Sequence, residues 1–174
     1  KAVEPDRIIG VGVPTQEAVW TNFDLGITFF VNEYGGWAYT GGYPKNIGRK
    51  IQPFFDAIAA ATLTSIRTSG DNDHWRIYPG ANLTVDGRTY TNPVLVYTVS
   101  LDAWTIDTLD DAVGYMGKYI ASSSEDLYFG NANGEIMQLG GVTVNSDDSG
   151  TSVAPIAGEI EFKEDFLGHD TNFV

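Results

Sequence analysis

A chain of 174 residues, 43% of them hydrophobic, can form one ordinary domain or part of a larger repeating one, and it is too apolar to be extensively disordered. Its 23 acidic and 10 basic residues give a formal charge of -13, which disfavours a nucleic-acid backbone or an anionic membrane as main partner. The absence of cysteine excludes disulfides and thiolate chemistry, and no apolar run is long enough for a membrane-spanning helix, so a soluble chain is expected.

The chain opens at Lys1 and stops on the apolar TNFV, from which we expect a processed or excised piece. Along it, EAVWTNFD, ITFFV and WAYTGG read as strands, with NEYGG as a turn between the last two. PKNIGRKIQ suits an extended outer strand. FFDAIAAATL, with Pro53 able to occupy a first turn and Phe54, Ile58 and Ala61 near one face, predicts a short helix over 53–63. HWRIYP reads as a strand, NLTVDGRTYTN as a polar connection, and PVLVYTVS as a well-buried strand before a turn leading to Trp104 and Ile106. TLDDAVGYMGKYI is read as extended from about Gly114.

The decisive pattern is an internal echo. ITFFVNEYGGWAYTGG, residues 27–42, overlays without a gap on DLYFGNANGEIMQLGG, residues 126–141. Phe29 meets Tyr128, Phe30 meets Phe129, Asn32 meets Asn131, Gly35 meets Gly134, and Gly41 and Gly42 meet Gly140 and Gly141; Trp37 meets Ile136. The copies lie about a hundred residues apart, or two periods of about fifty, with HWRIYP and VLVYTVSLDAWTI as a looser middle unit. Such a strand–turn–strand period points to an all-β fold, an incomplete or composite β-propeller-like array of antiparallel blades carrying one short helix. Three units do not close a ring of roughly four or more blades, so further blades must come from elsewhere. In this reading Phe29, Phe30, Tyr128 and Phe129 pack, Gly35, Gly36 and Gly134 serve tight turns, and Trp20, Trp37, Trp75 and Trp104 fill the spaces between sheets. Residues 1–144 form the repeat region. Residues 145–174 form a polar linker and a terminal β segment.

ITFFVNEYGGWAYTGGYPKNIGRKIQPFFDAI, HWRIYP, VLVYTVSLDAWTI, DLYFGNANGEIMQL and VAPIAGEIEFKEDFLG, in that order, resemble the propeller-like structural proteins of tailed bacteriophages and prophages. The likeness spans about residues 15–168, with Asp102 and Trp104 in a D-x-W turn and Tyr128, Phe129, Gly130 and Gly134 in a YFG-x-x-x-G hairpin. It implies a virion component of the tail, nozzle or head-to-tail connection, assembled in the bacterial host cytoplasm, with other virion proteins and further blades or subunits as partners. It implies no chemistry and no cofactor.

The residues offer little else. Asp102 with Asp107, or Asp110 with Asp111, could serve a glycosidase, but nothing in their spacing faces them across a bond. His74 and His169 are the only histidines and lack a metal-site spacing; Ser122, Ser123 and Ser124 lack a nucleophile elbow. Asp71, Asn72 and Asp73, and likewise Asn145, Asp147 and Asp148, supply hard oxygens without a calcium-loop pattern. GVGVP is too short for a phosphate loop, and Asn82-Leu83-Thr84 is a glycosylation match only in a secretory setting. Lys45, Arg49 and Lys50 form the one basic cluster and are read as an interface. The expectation is therefore a structural assembly module and not an enzyme, without sequence-specific nucleic-acid binding. The alternative is a carbohydrate- or receptor-binding propeller module that meets a host glycan through exposed tryptophans.

Overall fold

The computed structural model describes residues 12–58, 60–120, 125–131, 133–139, 146–148, 153–155 and 158–159. These residues are mostly antiparallel β structure arranged in several small sheets. The first sheet is a meander of β1 (Val19–Asn22), β2 (Ile27–Asn32), β3 (Gly35–Tyr39) and β4 (Lys45–Asn46), paired in chain order. The β-branched and aromatic ITFFV run becomes its best-buried strand because such side chains pack well on a pleated surface.

The connection to the second sheet is a 3₁₀ turn over Gly48–Ile51, then α1 (Gln52–Ala57), then a second 3₁₀ segment over Ala60–Ser65. Pro53 does sit in the first turn of α1, where its missing N–H costs nothing. The helix is shorter than the single one expected over 53–63, because Ile58 leaves the helical region. Phe54 and Phe55 are its buried side chains, and Ile58 just beyond its end is buried as well.

The second sheet contains β5 (Arg67–Gly70), β6 (His74–Tyr78), β9 (Pro93–Thr98) and β10 (Ala103–Thr108), hydrogen-bonded in that order. Between β6 and β9 stands a separate hairpin of β7 (Leu83–Val85) and β8 (Arg88–Tyr90). This corrects the reading of 82–92 as a plain polar connection. Asp86 (φ 50°) and Gly87 (φ 82°) make the two-residue turn whose positive dihedrals match strand twist. Leu83, Val85 and Tyr90 are buried in the core, so the hairpin is a lid on it.

The third sheet is β11 (Val113–Ile120), β12 (Glu125–Asn131) and β13 (Ile136–Leu139), again in chain order. A small hairpin, β14 (Ser146–Asp148) with β15 (Val153–Pro155), has β14 close to β13. The short β16 (Gly158–Glu159) pairs with Ile106 and Asp107 on β10, so part of the terminal segment returns to the second sheet. The linker proposed to begin at Asn145 lies largely outside the described residues. Among the described residues no helix is long and apolar enough to cross a membrane.

The sheets stack face to face, with the second in the middle. Strand alternation divides β9 between two cores: Leu95 and Tyr97 join Phe29, Val31, Trp75 and Ile77, whereas Val94 and Val96 join Met116, Leu127, Phe129 and Met137. Both faces of β9 are thereby removed from water, which explains why PVLVYT reads as a continuous apolar run. Each large side chain buried this way contributes about 1.5–3 kcal/mol. The leading strands of the three sheets adjoin, β5 lying beside β1 on one side and β11 on the other. Thr68 Oγ1 donates to the Glu17 carbonyl (2.9 Å) and Arg67 Nε to the Gly114 carbonyl (3.1 Å), tying this row together.

Candidate assembly surfaces

One end of the stack is a set of turns held by short polar side chains. Asn22 is buried in the β1–β2 turn, where its Oδ1 accepts the Leu25 N–H (3.0 Å) and its Nδ2 donates to the Asn72 carbonyl (3.0 Å) in the β5–β6 turn. Asp71 accepts the backbone N–H groups of Asp73 (3.0 Å) and His74 (2.9 Å), and Arg76 Nη1 donates to its second oxygen (2.7 Å). His74 Nδ1 lies 2.9 Å from Asp71 Oδ1. Burial alone would raise the Asp71 pKa, but the Arg76 guanidinium and these N–H donors outweigh it and hold the carboxyl well below the usual range. Asp73 reaches across to the β9–β10 turn, accepting from Ser100 Oγ (2.7 Å) and Ser100 N–H (2.8 Å), which lower its pKa.

The carboxylate oxygens of Asp71 and Asp73 in the DNDH turn are therefore occupied by protein donors, and among the described residues no cluster of three or more acidic, histidine or cysteine side chains could hold a metal ion. Asp107 differs: burial raises its pKa, against the opposing charges of Arg76 and His74. Four residue steps of strand, about 13 Å of backbone, carry β10 from Ala103 to Asp107, a longer span than the roughly 5–9.5 Å between the carboxyls of glycosidase pairs.

The D-x-W turn acts as a clasp. Asp102 takes a left-handed conformation (φ 47°), accepts the Tyr97 hydroxyl (2.7 Å) and pairs with Lys50 Nζ (3.0 Å), which also donates to the Asp102 carbonyl. The Tyr97 hydroxyl and then Lys50 lower the Asp102 pKa; in turn, burial and the Asp102 carboxylate raise that of Tyr97. Two residues on, Trp104 Nε1 donates to the Ile47 carbonyl (2.9 Å). Asp102 and Trp104 thus fasten the β9–β10 turn to the segment from Ile47 through the Gly48–Ile51 turn, which carries Arg49 and Lys50. Lys50 is engaged within the chain, while Lys45 and Arg49 are exposed.

The aromatic residues separate into two classes. Trp75 is fully buried between the first and second sheets, its ring 5.2 Å from that of Phe29, and Trp20 and Trp104 pack around the same core. Trp37 lies on the opposite face of the first sheet, stacked on Phe30 (6.3 Å, 9° between planes), with its Nε1 donating to Asn32 Oδ1 (2.8 Å). Of the four tryptophans expected between sheets, Trp20, Trp75 and Trp104 therefore lie at the first core and Trp37 on the outer face of the first sheet.

The internal echo has a structural basis in the asparagines. Asn32 and Asn131 are both buried, and each ends the second strand of its sheet with Oδ1 accepting the N–H two residues on: Tyr34 at 2.9 Å and Asn133 at 3.0 Å. The second strands begin at Ile27, His74 and Glu125, in keeping with a period of about fifty residues. The returning strands slip by one, because the later loop is one residue longer: Phe30 pairs with Trp37 but Phe129 with Met137. Met137, not Ile136, therefore occupies the cross-strand position of Trp37. Ile136 is 81% exposed.

Gly35 and Gly36 also divide. The turn itself is Glu33-Tyr34, and Gly35 (φ 133°) needs glycine for its backbone. Gly36 has no positive φ; a methyl there would stand 2.9 Å from Phe55 Cζ and 3.3 Å from Trp75 Cζ3, so it is a packing glycine and not a turn residue. Gly134 does adopt positive φ (84°) in its hairpin. Phe129 is buried in the second core. Tyr128 lies on the opposite face of the third sheet, beside a shallow apolar trough of about 510 Å³ lined also by Tyr115, Gly117, Gly130 and Ile136.

Sequence reading missed Asn22, Asp71 and the Asp73–Ser100 link as structural ties. The available signal was Asn or Asp opening each tight turn, where a short polar side chain can bond its own backbone. His169, Asn145, Ser122, Ser123, Ser124, Gly140 and Gly141 lie outside the described residues. The chain matches no protein-family model, no curated protein and no solved structure.

Proposed function

We propose that this chain is a structural virion component, contributing to a phage tail or head-to-tail connector as a section of a composite β-propeller. The observation that carries the reading is the stacking of three sheets with their leading strands side by side and the central strand β9 of the middle sheet buried on both faces. Successive blades around an axis have this arrangement. The ordered likeness of the sequence to propeller-like phage proteins supplies the virion context. The mechanism is geometric: stacked sheets fix the turns, and polar ties such as Asp71–Arg76 and Asp73–Ser100 hold them for loop-mediated protein contacts. Binding in this way requires no cofactor and no reaction.

The test is location. Antibodies against the chain should label the tail or the head-to-tail junction of purified particles from the producing host, and particles without the chain would overturn the proposal. Charge reversal at Lys45 and Arg49, which leaves the Lys50–Asp102 pair intact, should impair particle assembly; normal assembly would remove them from the interface. The glycan-binding alternative now rests on Trp37, since the other three tryptophans pack in the first core. Glycan binding abolished by Trp37→Ala would favour it.

A further inference from the structure

We propose that the trough on the third sheet seats the Trp37–Tyr39 face of the first sheet of a second copy of this chain, so that copies associate head to tail. The inference rests on the stacked-sheet reading above and names its missing neighbour.

Every sheet has a leading face, toward the sheet that follows, and a trailing face, toward the one before. Inside the chain a leading face always meets a trailing face. Phe29 and Val31 of the first sheet meet Trp75, Ile77, Leu95 and Tyr97 of the second; Val94 and Val96 of the second meet Leu127 and Phe129 of the third. Two faces are covered by no described sheet, and they are of opposite kind. The trailing face of the first sheet carries Phe30, Trp37 and Tyr39; the leading face of the third carries Tyr115, Tyr128 and Ile136.

The internal repeat identifies what such faces are built to meet. Phe30 corresponds to Phe129, which lies in the core between the second and third sheets, and Tyr128 corresponds to Phe29, which lies in the core between the first and second. Each of these two faces therefore has its repeat counterpart inside a sheet–sheet core. The first sheet of a second copy supplies a trailing face of the required kind.

Shape agrees with this pairing. Tyr115, Gly130 and Ile136 form one cross-strand row and Gly117, Tyr128 and Gln138 the next. The glycines leave an open channel among larger side chains, and Tyr115 folds over Gly117, where a methyl would come within 2.9 Å of its ring. Opposite it would stand the half-buried Trp37, stacked on a Phe30 that is itself only 7% exposed, and the exposed Tyr39. Ile136 is 81% exposed, Tyr115 66% and Tyr39 42%, an apolar exposure suited to an interaction surface. Two copies provide six stacked sheets, within the roughly four to eight blades that close a propeller. Each copy then gives one trough and receives one ridge, a closed assembly with two equivalent contacts.

The experiment uses the 174-residue chain in sedimentation velocity across a concentration series. The wild type should form a two-copy species. Ile136→Asp breaks the trough and Tyr39→Asp the ridge; both positions are exposed, so urea midpoints close to wild type will show that the variants fold. Each variant alone should weaken self-association by at least tenfold. Mixing the two should restore a two-chain species, because the trough of one and the ridge of the other remain intact. A wild type that stays monomeric at about 100 μM, near the weak end of stable association, would overturn the proposal. So would a variant that still self-associates alone, or a mixture that stays monomeric beside an associating wild type. Binding of a different virion protein, lost in Ile136→Asp while the chain is itself monomeric, would reassign the trough to that protein. A monomeric chain still present in particles would overturn the second-copy contact and leave the assembly role standing; a self-associating chain absent from particles would do the reverse.

Discussion

Gly36→Ala separates a packing role from a turn role. The added methyl would lie 2.9 Å from Phe55 Cζ and 3.3 Å from Trp75 Cζ3, whereas carbon atoms prefer about 3.5–4.0 Å. Phe55 and Trp75 are 3% and 0% exposed, so neither ring has open space into which to retreat. Overpacking of such a site costs about 1–3 kcal/mol. We expect about 2 kcal/mol, which at a urea slope of about 2 kcal/mol/M moves the midpoint down by about 1 M. The contact also specifies a partner. Phe55→Leu shortens the side chain that the methyl meets, so the double variant should cost at least about 1 kcal/mol less than the two single changes added together. A Gly36→Ala cost below about 0.5 kcal/mol, or additivity with Phe55→Leu, would refute the packing argument.

Trp75→Ala should cost about 3–5 kcal/mol in equilibrium urea unfolding, as a fully buried tryptophan leaves a large cavity, while Trp37→Ala on the outer face should cost markedly less; the reverse order would contradict the assignment of faces. Asp71 has a depressed pKa in the folded state, so its contribution is fully present above its unfolded pKa of about 3.9 and declines as pH falls toward the lower folded value. Asp71→Asn should therefore be about 1–3 kcal/mol less stable at pH 7, with the gap narrowing below about pH 4; a gap independent of pH would show that charge is not the cause. The Lys50–Asp102 pair is about half exposed on both sides, so Lys50→Ala should cost under about 1 kcal/mol. Asp102→Ala should cost more, because it also strands the Tyr97 hydroxyl, and equal thermal-melt shifts for the two would dissolve the clasp.

Strand identity was legible wherever alternation and composition agreed. ITFFV, HWRIYP, PVLVYT and the run from about Gly114 all became strands, since β-branched and aromatic residues have one favourable use on a pleated surface. The hairpin over 83–90 was also within reach, because Asp86-Gly87 is a strong two-residue turn signal, but the surrounding polar residues obscured Leu83, Val85 and Tyr90. The helix boundary was less accessible. Nothing local in the alanine-rich run marks Ile58 as its end; Ile58 belongs to the core, and packing there decides where the chain turns.

The candidate surfaces were only half visible for a related reason. Asn32 and Asn131 could be matched in the sequence, yet their shared duty as turn ties depends on backbone N–H groups being brought within reach. The slip that replaces Ile136 by Met137 opposite the aromatic residue could not be read from a gap-free overlay, because loop length sets hairpin register.

By itself, the sequence determined an antiparallel β chain with a period near fifty residues, aromatic packing and glycine-bearing turns, since these follow from local geometry and side-chain alternation. The tertiary structure alone decided which face each side chain occupies: Trp75 in the core and Trp37 outside it, Gly36 against Phe55, Lys50 on Asp102. The physical reason is that a strand presents two faces of nearly equal apolar character, and only the stacking of one sheet on another assigns each face to a core or to the surface.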